Sequence, residues 1–214
     1  MAEKNGQLSR KGLLYSAVSA VLLAGCASHP LPVNYAPSSV MSASGSISIS
    51  DFKYLPSDND NVPKDCKNIS DFKILPSDKD NVPEYCKNIF VAPNQIRNTA
   101  IGEIIIDRDV KTFVKDAVFA ELRFVGIKTS NDNRFLKGDI EEFLIDDLGY
   151  SVDWKLRIKY EVVESSSKKV IYQATKSTER KTAKFANPFG ALNETVKLNV
   201  EELIKDESFI QAIN

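Results

Sequence analysis

The chain has 214 residues, 43% of them hydrophobic, with 28 Lys and Arg against 29 Asp and Glu for a formal net charge of -1. That length suits one ordinary domain with extras, the apolar fraction supports a packed core, and the balanced charge supplies no global field for nucleic acid. A single histidine, His29, removes any His-based catalytic triad and any multi-histidine zinc centre.

At the amino terminus Lys4, Arg10 and Lys11 form a positively charged leader, and residues 13–24 are an uncharged, mostly apolar run. The run is too short to cross a bilayer, which takes about 20 apolar residues, and it suits the h-region of a secretion signal. Leu23-Ala24-Gly25-Cys26 then resembles the lipobox of bacterial lipoproteins. The resemblance implies cleavage after residue 25, with Cys26 carrying a diacylglyceryl group and an acylated amine. Several acyl chains hold a bilayer more firmly than one, because each buried CH₂ contributes about 0.8 kcal/mol. Ala27 stands where Asp would retain such a lipoprotein at the inner membrane, so the family's sorting rule implies the outer membrane, facing the periplasm. The rival reading is an ordinary signal peptide with a chance cysteine.

Residues 26–49 carry Pro30, Pro32 and Pro37 and then a Ser-rich stretch. Such composition is expected to make a loose spacer between anchor and domain. Residues 46–49 alternate and have the pattern of a short strand, with nothing local to select it over coil.

Residues 50–69, SDFKYLPSDNDNVPKDCKNI, recur as residues 70–89, SDFKILPSDKDNVPEYCKNI. Two units are too few for a solenoid. Each has an apolar cluster (Phe52, Tyr54, Leu55 and Phe72, Ile74, Leu75) followed by turn formers, so two irregular loops are expected. The pairs Asp58 and Asp60, and Asp78 and Asp80, resemble the opening of a calcium loop. Pro63 and Pro83 stand where the EF-hand glycine belongs, and Ile69 and Ile89 stand where its terminal Glu belongs. A solvated turn is the better reading, and no metal site or cofactor is expected. Cys66 and Cys86 occupy equivalent positions and suit an intramolecular disulfide in an oxidising compartment, with intermolecular bridges and free thiols as rivals. No CxxC motif marks redox chemistry.

Residues 90–214 are expected to hold the folded domain. Residues 101–106 are β-rich, and Asp107 or Asp109 is placed to cap the helix that follows. In that helix Val110, Phe113, Val114, Ala117, Val118 and Leu122 form one apolar stripe, with Lys111, Lys115, Asp116 and Glu121 outside it and Gly126 at its end. A strand is expected over 135–145. Residues 151–163 give the clearest strand, because Val152, Trp154, Leu156, Ile158, Tyr160 and Val162 alternate with Asp153, Lys155, Arg157, Lys159 and Glu161. The turn 165–169 returns the chain into a partner strand over 170–178. A second helix over 191–205 carries Leu192, Val196, Asn199 and Leu203 on one face, and Phe209 and Ile213 pack a short tail. The expected fold is α+β: an antiparallel sheet of about three to four strands with two helices packed on one face.

These elements, with DRDVKTFVKDAVFAELRFVGI, DWKLRIKYEVV, VIYQATKS and NPFGALNETVKLNVEELIKDESF, resemble the YajG-type outer-membrane lipoproteins from residue 101 onward, while the tandem repeat lies outside the match. More distantly the layout is similar to auxiliary lipoproteins of lipid-transport ABC systems and to the TolB amino-terminal domain, in fold alone. The family it resembles has no established enzymatic activity. The chain is expected to divide into a signal peptide over 1–25, a lipidated tether over 26–49, the repeat over 50–89 and the domain over 90–214.

No catalytic constellation stands out. Asp139, Glu141, Glu142, Asp146 and Asp147 are the densest acidic group, and paired carboxylates can hydrolyse glycosides. Strand alternation should send Glu141 and Glu142 to opposite faces, so a solvated edge is favoured. Lys155, Arg157 and Lys159 are expected on a wet, mixed-charge face in preference to an anion site, and residues 165–167 lack a relay for a serine hydrolase. The expected protein is a non-enzymatic binding or structural module of the cell envelope; the alternative is an accessory subunit of an envelope transport or secretion complex. Its partners are then the bilayer, through acylated Cys26, and envelope proteins, with no nucleic acid.

Overall fold

The computed structural model describes residues 30–57, 91–99, 104–184 and 186–214. Along the chain these form β1 (Ser48–Tyr54), a 3-10 turn (Leu55–Ser57), β2 (Gln95–Asn98), β3 (Ile104–Ile105), α1 (Val110–Phe124), β4 (Arg134–Asp146), β5 (Ser151–Glu164), β6 (Val170–Ala183), α2 (Pro188–Ile204) and α3 (Glu207–Ile213). The described strands form one six-stranded sheet in the order β3-β2-β4-β5-β6, with β1 also paired to β4.

The long antiparallel trio is the part that alternation specifies. β5 pairs with β4 and β6 along almost its whole length, and Trp154, Leu156, Ile158, Tyr160 and Val162 are all buried on one face. The sheet is nevertheless larger than the three to four strands expected, and mixed. β1 and β2 both run parallel to β4, β1 beside its first half (Ser48↔Phe135 to Tyr54↔Ile140) and β2 beside its end (Arg97↔Leu144, Asn98↔Ile145). Two strands therefore lie end to end along one edge of β4, and residues 58–90 fall between them in sequence. Short strands paired across such distances leave little local signal, which is why they were not expected.

The described residues form three α-helices where two were expected. The stripe on α1 is buried as its spacing requires, from Val110 to Leu122, but Glu121 is buried with it. Gly126, at φ 106°, ends that helix in a conformation an L side chain resists. Asp109 sits at the N-cap position without a side-chain capping bond. α2 begins earlier than expected: Asn187 accepts a bond from the Phe189 N–H, and Pro188 occupies the first turn, where its missing N–H costs nothing. α3 buries Phe209 and Ile213, as the tail was expected to do. Apolar burial of this kind contributes roughly 1.5–3 kcal/mol per large side chain.

The described part of the expected spacer is not loose. Leu31 donates its N–H to the Ile105 carbonyl at 2.8 Å and accepts from Asp107 at 3.0 Å. The Ala43 N–H reaches the Val125 carbonyl at 2.9 Å, and Ile47 reaches Lys128 at 2.9 Å, with Val33 and Ile47 buried. Residues 30–47 are a strap running over the helices into β1. The first repeat copy likewise begins inside the sheet and not in a loop. Phe52 is buried, and its ring fills the space that a Cβ on Gly138 would take.

Candidate functional site

With the helices on one face, the other face of the sheet is open. It carries Lys155, Arg157 and Lys159 as alternation requires, but one detail differs. A β-bulge shifts the register between Ile140 and Glu142, so Glu141 and Glu142 do not diverge to opposite faces. Both reach the same guanidinium, Glu141 Oε2 at 3.0 Å from Arg157 Nε and Glu142 Oε2 at 3.0 Å from Arg157 Nη1. Lys155 Nζ lies 3.0 Å from Glu179 and 3.9 Å from Glu142, and Lys159 lies 2.7 Å from Glu161. The hydrogen bond that Lys155 donates to Glu179 holds its ammonium above the ordinary pKa, and the bond that Lys159 donates to Glu161 does the same there.

Two shallow recesses mark this face near the Asp146 end. One, of about 440 Å³, is lined by residues including Asp153, Lys155, Glu179 and Lys181. The other, of about 210 Å³, is lined by residues including Arg97, Glu141, Glu142 and Arg157. Lys181 is itself paired with Asp153 at 3.4 Å. The arrangement presents alternating, mutually compensated charge, suited to a polar partner surface and not to proton transfer by an isolated acid or base.

The other acids singled out by sequence are dispersed. Asp146 accepts from the Thr99 hydroxyl at 2.7 Å and from the Leu148 N–H at 3.2 Å; the Thr99 bond does most to lower its pKa. Asp147 pairs with Lys184 at 3.3 Å. The Ser167 hydroxyl donates to Glu164 within the β5–β6 turn at 2.6 Å. Trp154 and Tyr160 are buried in the core as expected, Trp154 Nε1 donating to the Thr182 hydroxyl at 2.9 Å. Among the described residues no group of three or more His, Cys, Asp or Glu is placed to hold a metal ion, and no helix is long and apolar enough to cross a membrane. Leu23, Ala24, Gly25, Cys26, His29, Cys66, Cys86 and the paired aspartates of the repeat lie outside the described residues.

The covered side contains polar clusters that sequence reading missed. The buried Glu121 carboxylate accepts from the Tyr35 hydroxyl at 2.6 Å and from the N–H groups of Ser38 and Ser39 at 2.9 and 3.3 Å, latching the strap to α1. Burial, and then the bond to Glu121, raise the pKa of Tyr35. Its spacing was the available signal, since Glu121 follows Val114 and Ala117 along the same stripe. Asn199 on α2 accepts from the Tyr160 hydroxyl at 2.9 Å and donates to the carbonyls of Leu156 and Lys176. Asp206 accepts from Lys176 at 2.7 Å, from the Tyr172 hydroxyl at 2.9 Å and from the Ser208 N–H at 2.9 Å, and the lysine above all holds its pKa down at about 2.

No family model and no curated protein matches this chain. Its fold is similar to that of a solved Xanthomonas campestris protein of the DUF330 family, at a TM-score of 0.52 and 12% identity over 86% of this chain and 95% of that one. Partial likenesses include the PelC dodecamer from Paraburkholderia phytofirmans, at 0.34 and 17% identity over 51% and 81% of the two chains. A minor lipoprotein from Acinetobacter baumannii matches at 0.31 and 12% identity over 55% and 89%. The Xanthomonas likeness shows a shared fold: a mixed α+β sheet open on one face.

Proposed function

We propose that the protein is a YajG-type outer-membrane lipoprotein, anchored through acylated Cys26 and acting without enzymatic activity as a binding or structural module of the envelope. One observation carries the reading: an h-region over 13–24 leads directly into Leu23-Ala24-Gly25-Cys26. The compensated charges on the open face support a binding role over a catalytic one. Cys66 and Cys86 are the pair available for a disulfide in that compartment.

Two measurements test this. Intact-mass analysis of the membrane fraction should find the chain starting at Cys26 with a diacylglyceryl group and an amide-linked acyl chain, and Cys26→Ala should abolish both. An unmodified chain of full length would overturn the anchor. Cross-linking in the native envelope, detergent pull-down and quantitative mass spectrometry then address the role. Partners at constant ratio, absent from the Cys26→Ala control, would make the protein an accessory subunit of a transport or secretion complex in place of a free-standing module.

A further inference from the structure

The chain is fixed to the domain almost as soon as it leaves the anchor. Four peptide links separate Cys26 from Pro30, a span of at most about 14 Å. At Leu31 the strap is already bonded to Ile105 and Asp107. The sheet is much longer than that span: the 13 residues of β4 cover about 43 Å. An anchored Cys26 therefore dictates which end of the sheet meets the membrane.

The register identifies that end. Leu31 bridges Ile106 in parallel, β3 runs antiparallel to β2, and β2 runs parallel to β4. From Leu31 back to Pro30 the strap thus points along the sheet toward Asp146, where β4 turns into β5. Leu31 also lines a small apolar hollow with Ile145, Trp154 and Phe189, which places α2's first turn at the same end.

This end is unusually apolar for a sheet edge. On the β4–β5 turn Tyr150 is fully exposed and Leu148 is 72% exposed, while Leu31 and Phe189 are each more than a third exposed. Several polar groups of the turn are paired internally, while Asp147 Oδ1 is buried beside Lys184 without a hydrogen bond. Lys184 Nζ pairs with the Asp147 carboxylate and reaches the carbonyls of Asp147 and Gly149, each at 3.3 Å, and Asp146 is held by Thr99 and the Leu148 N–H. Groups already paired within the protein enter a headgroup layer at less cost than bare ones. Tyr is moreover a residue that settles at membrane–water interfaces.

We propose that the Asp146–Tyr150 turn, with Leu31 and Phe189 beside it, is a membrane-facing surface. Leu148 and Tyr150 enter the headgroup region of the lipid leaflet that holds the anchor. This rests on the acylation of Cys26 proposed above. Because the anchor already confines the domain, a contact too weak to bind membranes alone is sufficient. The opposite end, the β5–β6 turn at 165–169, then points away from the bilayer.

The test uses the full lipidated chain in vesicles of equal parts phosphatidylethanolamine and phosphatidylglycerol, with bromine on the lipid acyl chains as a contact quencher. Tyr150→Trp and Ser166→Trp each add an indole at an exposed position, one at either end of the sheet, over the constant signal of buried Trp154. The expected result is several-fold stronger quenching at 150 than at 166, reduced when Leu148→Ser is combined with Tyr150→Trp. An acylated chain that floats with the vesicles but is quenched equally, or not at all, at both positions overturns the docked orientation and leaves the anchor standing. A chain that lacks the acyl mass and stays in solution overturns the anchor and this inference together.

Discussion

The two faces of the sheet carry similar chemical groups under opposite conditions. On the covered face Glu121, Asn199 and Tyr160 are wholly buried, so their own polar atoms depend on protein partners. On the open face Arg157, Lys155 and their glutamates pair with one another, but the Arg157 side chain is 41% exposed and solvent reaches the guanidinium. Polar contacts on the covered side hold the fold, whereas those on the open side decorate it. The open face is consequently the surface that can change to suit a partner without endangering the core.

The strongest way to break this contrast is at the strap. Glu121→Ala leaves the Tyr35 hydroxyl and two N–H groups without their acceptor, and about 3 kcal/mol of stability should be lost, read as a lower urea midpoint. Glu121→Gln, which keeps one acceptor oxygen, should lose about half as much. A loss below about 1 kcal/mol for the alanine variant would mean that the strap is held mainly by its backbone pairing.

Asn199→Ala should cost about 2 kcal/mol, since it strands the Tyr160 hydroxyl and two carbonyls. Adding Tyr160→Phe should cost little more, because the two residues act as one unit. Strict additivity in that double-mutant cycle would contradict the shared network.

Asp206 sharpens the contrast through pH. Its carboxyl is lowered from 3.8 to about 2 by Lys176, so the contribution is complete above the unfolded value and is lost as pH falls from about 4 through about 2. Asp206→Asn should cost about 1 kcal/mol near neutrality, and it should flatten the decline of stability over that acidic window. A wild-type profile unchanged by the substitution would count against the pairing.

Arg157→Ala should have the smallest effect, at most about 0.5 kcal/mol, and the difference should shrink further in high salt. A cost above about 1.5 kcal/mol would show that the open face is structural after all.

Sequence reading reached the parts of this molecule whose order is local. Alternation from Val152 to Val162 located β5 and the face it buries, and the spacing from Val110 to Leu122 located α1 and most of its buried stripe. Glu121 was misplaced because charge argued for solvent, and only the arrival of the strap gives its carboxylate three donors. Glu141 and Glu142 were separated by alternation and reunited by one bulge on Arg157.

The repeat shows the boundary most plainly. Its two copies are nearly identical, so no local rule distinguishes them, yet β1 is built from the first. Ile47, just before the first copy, is fully buried, and Lys67 stands at the corresponding place before the second copy. Tyr54 also donates its hydroxyl to the Gln95 carbonyl at 3.0 Å, a bond that Ile74 has no group to make. Periodicity and composition by themselves determined the long hairpin and the two longer helices, because each of these is encoded within one stretch of chain. The parallel pairing of β1 and β2 on β4 and the strap's latch at Glu121 were decided only by the tertiary structure, because each depends on residues far apart in sequence being buried against one another.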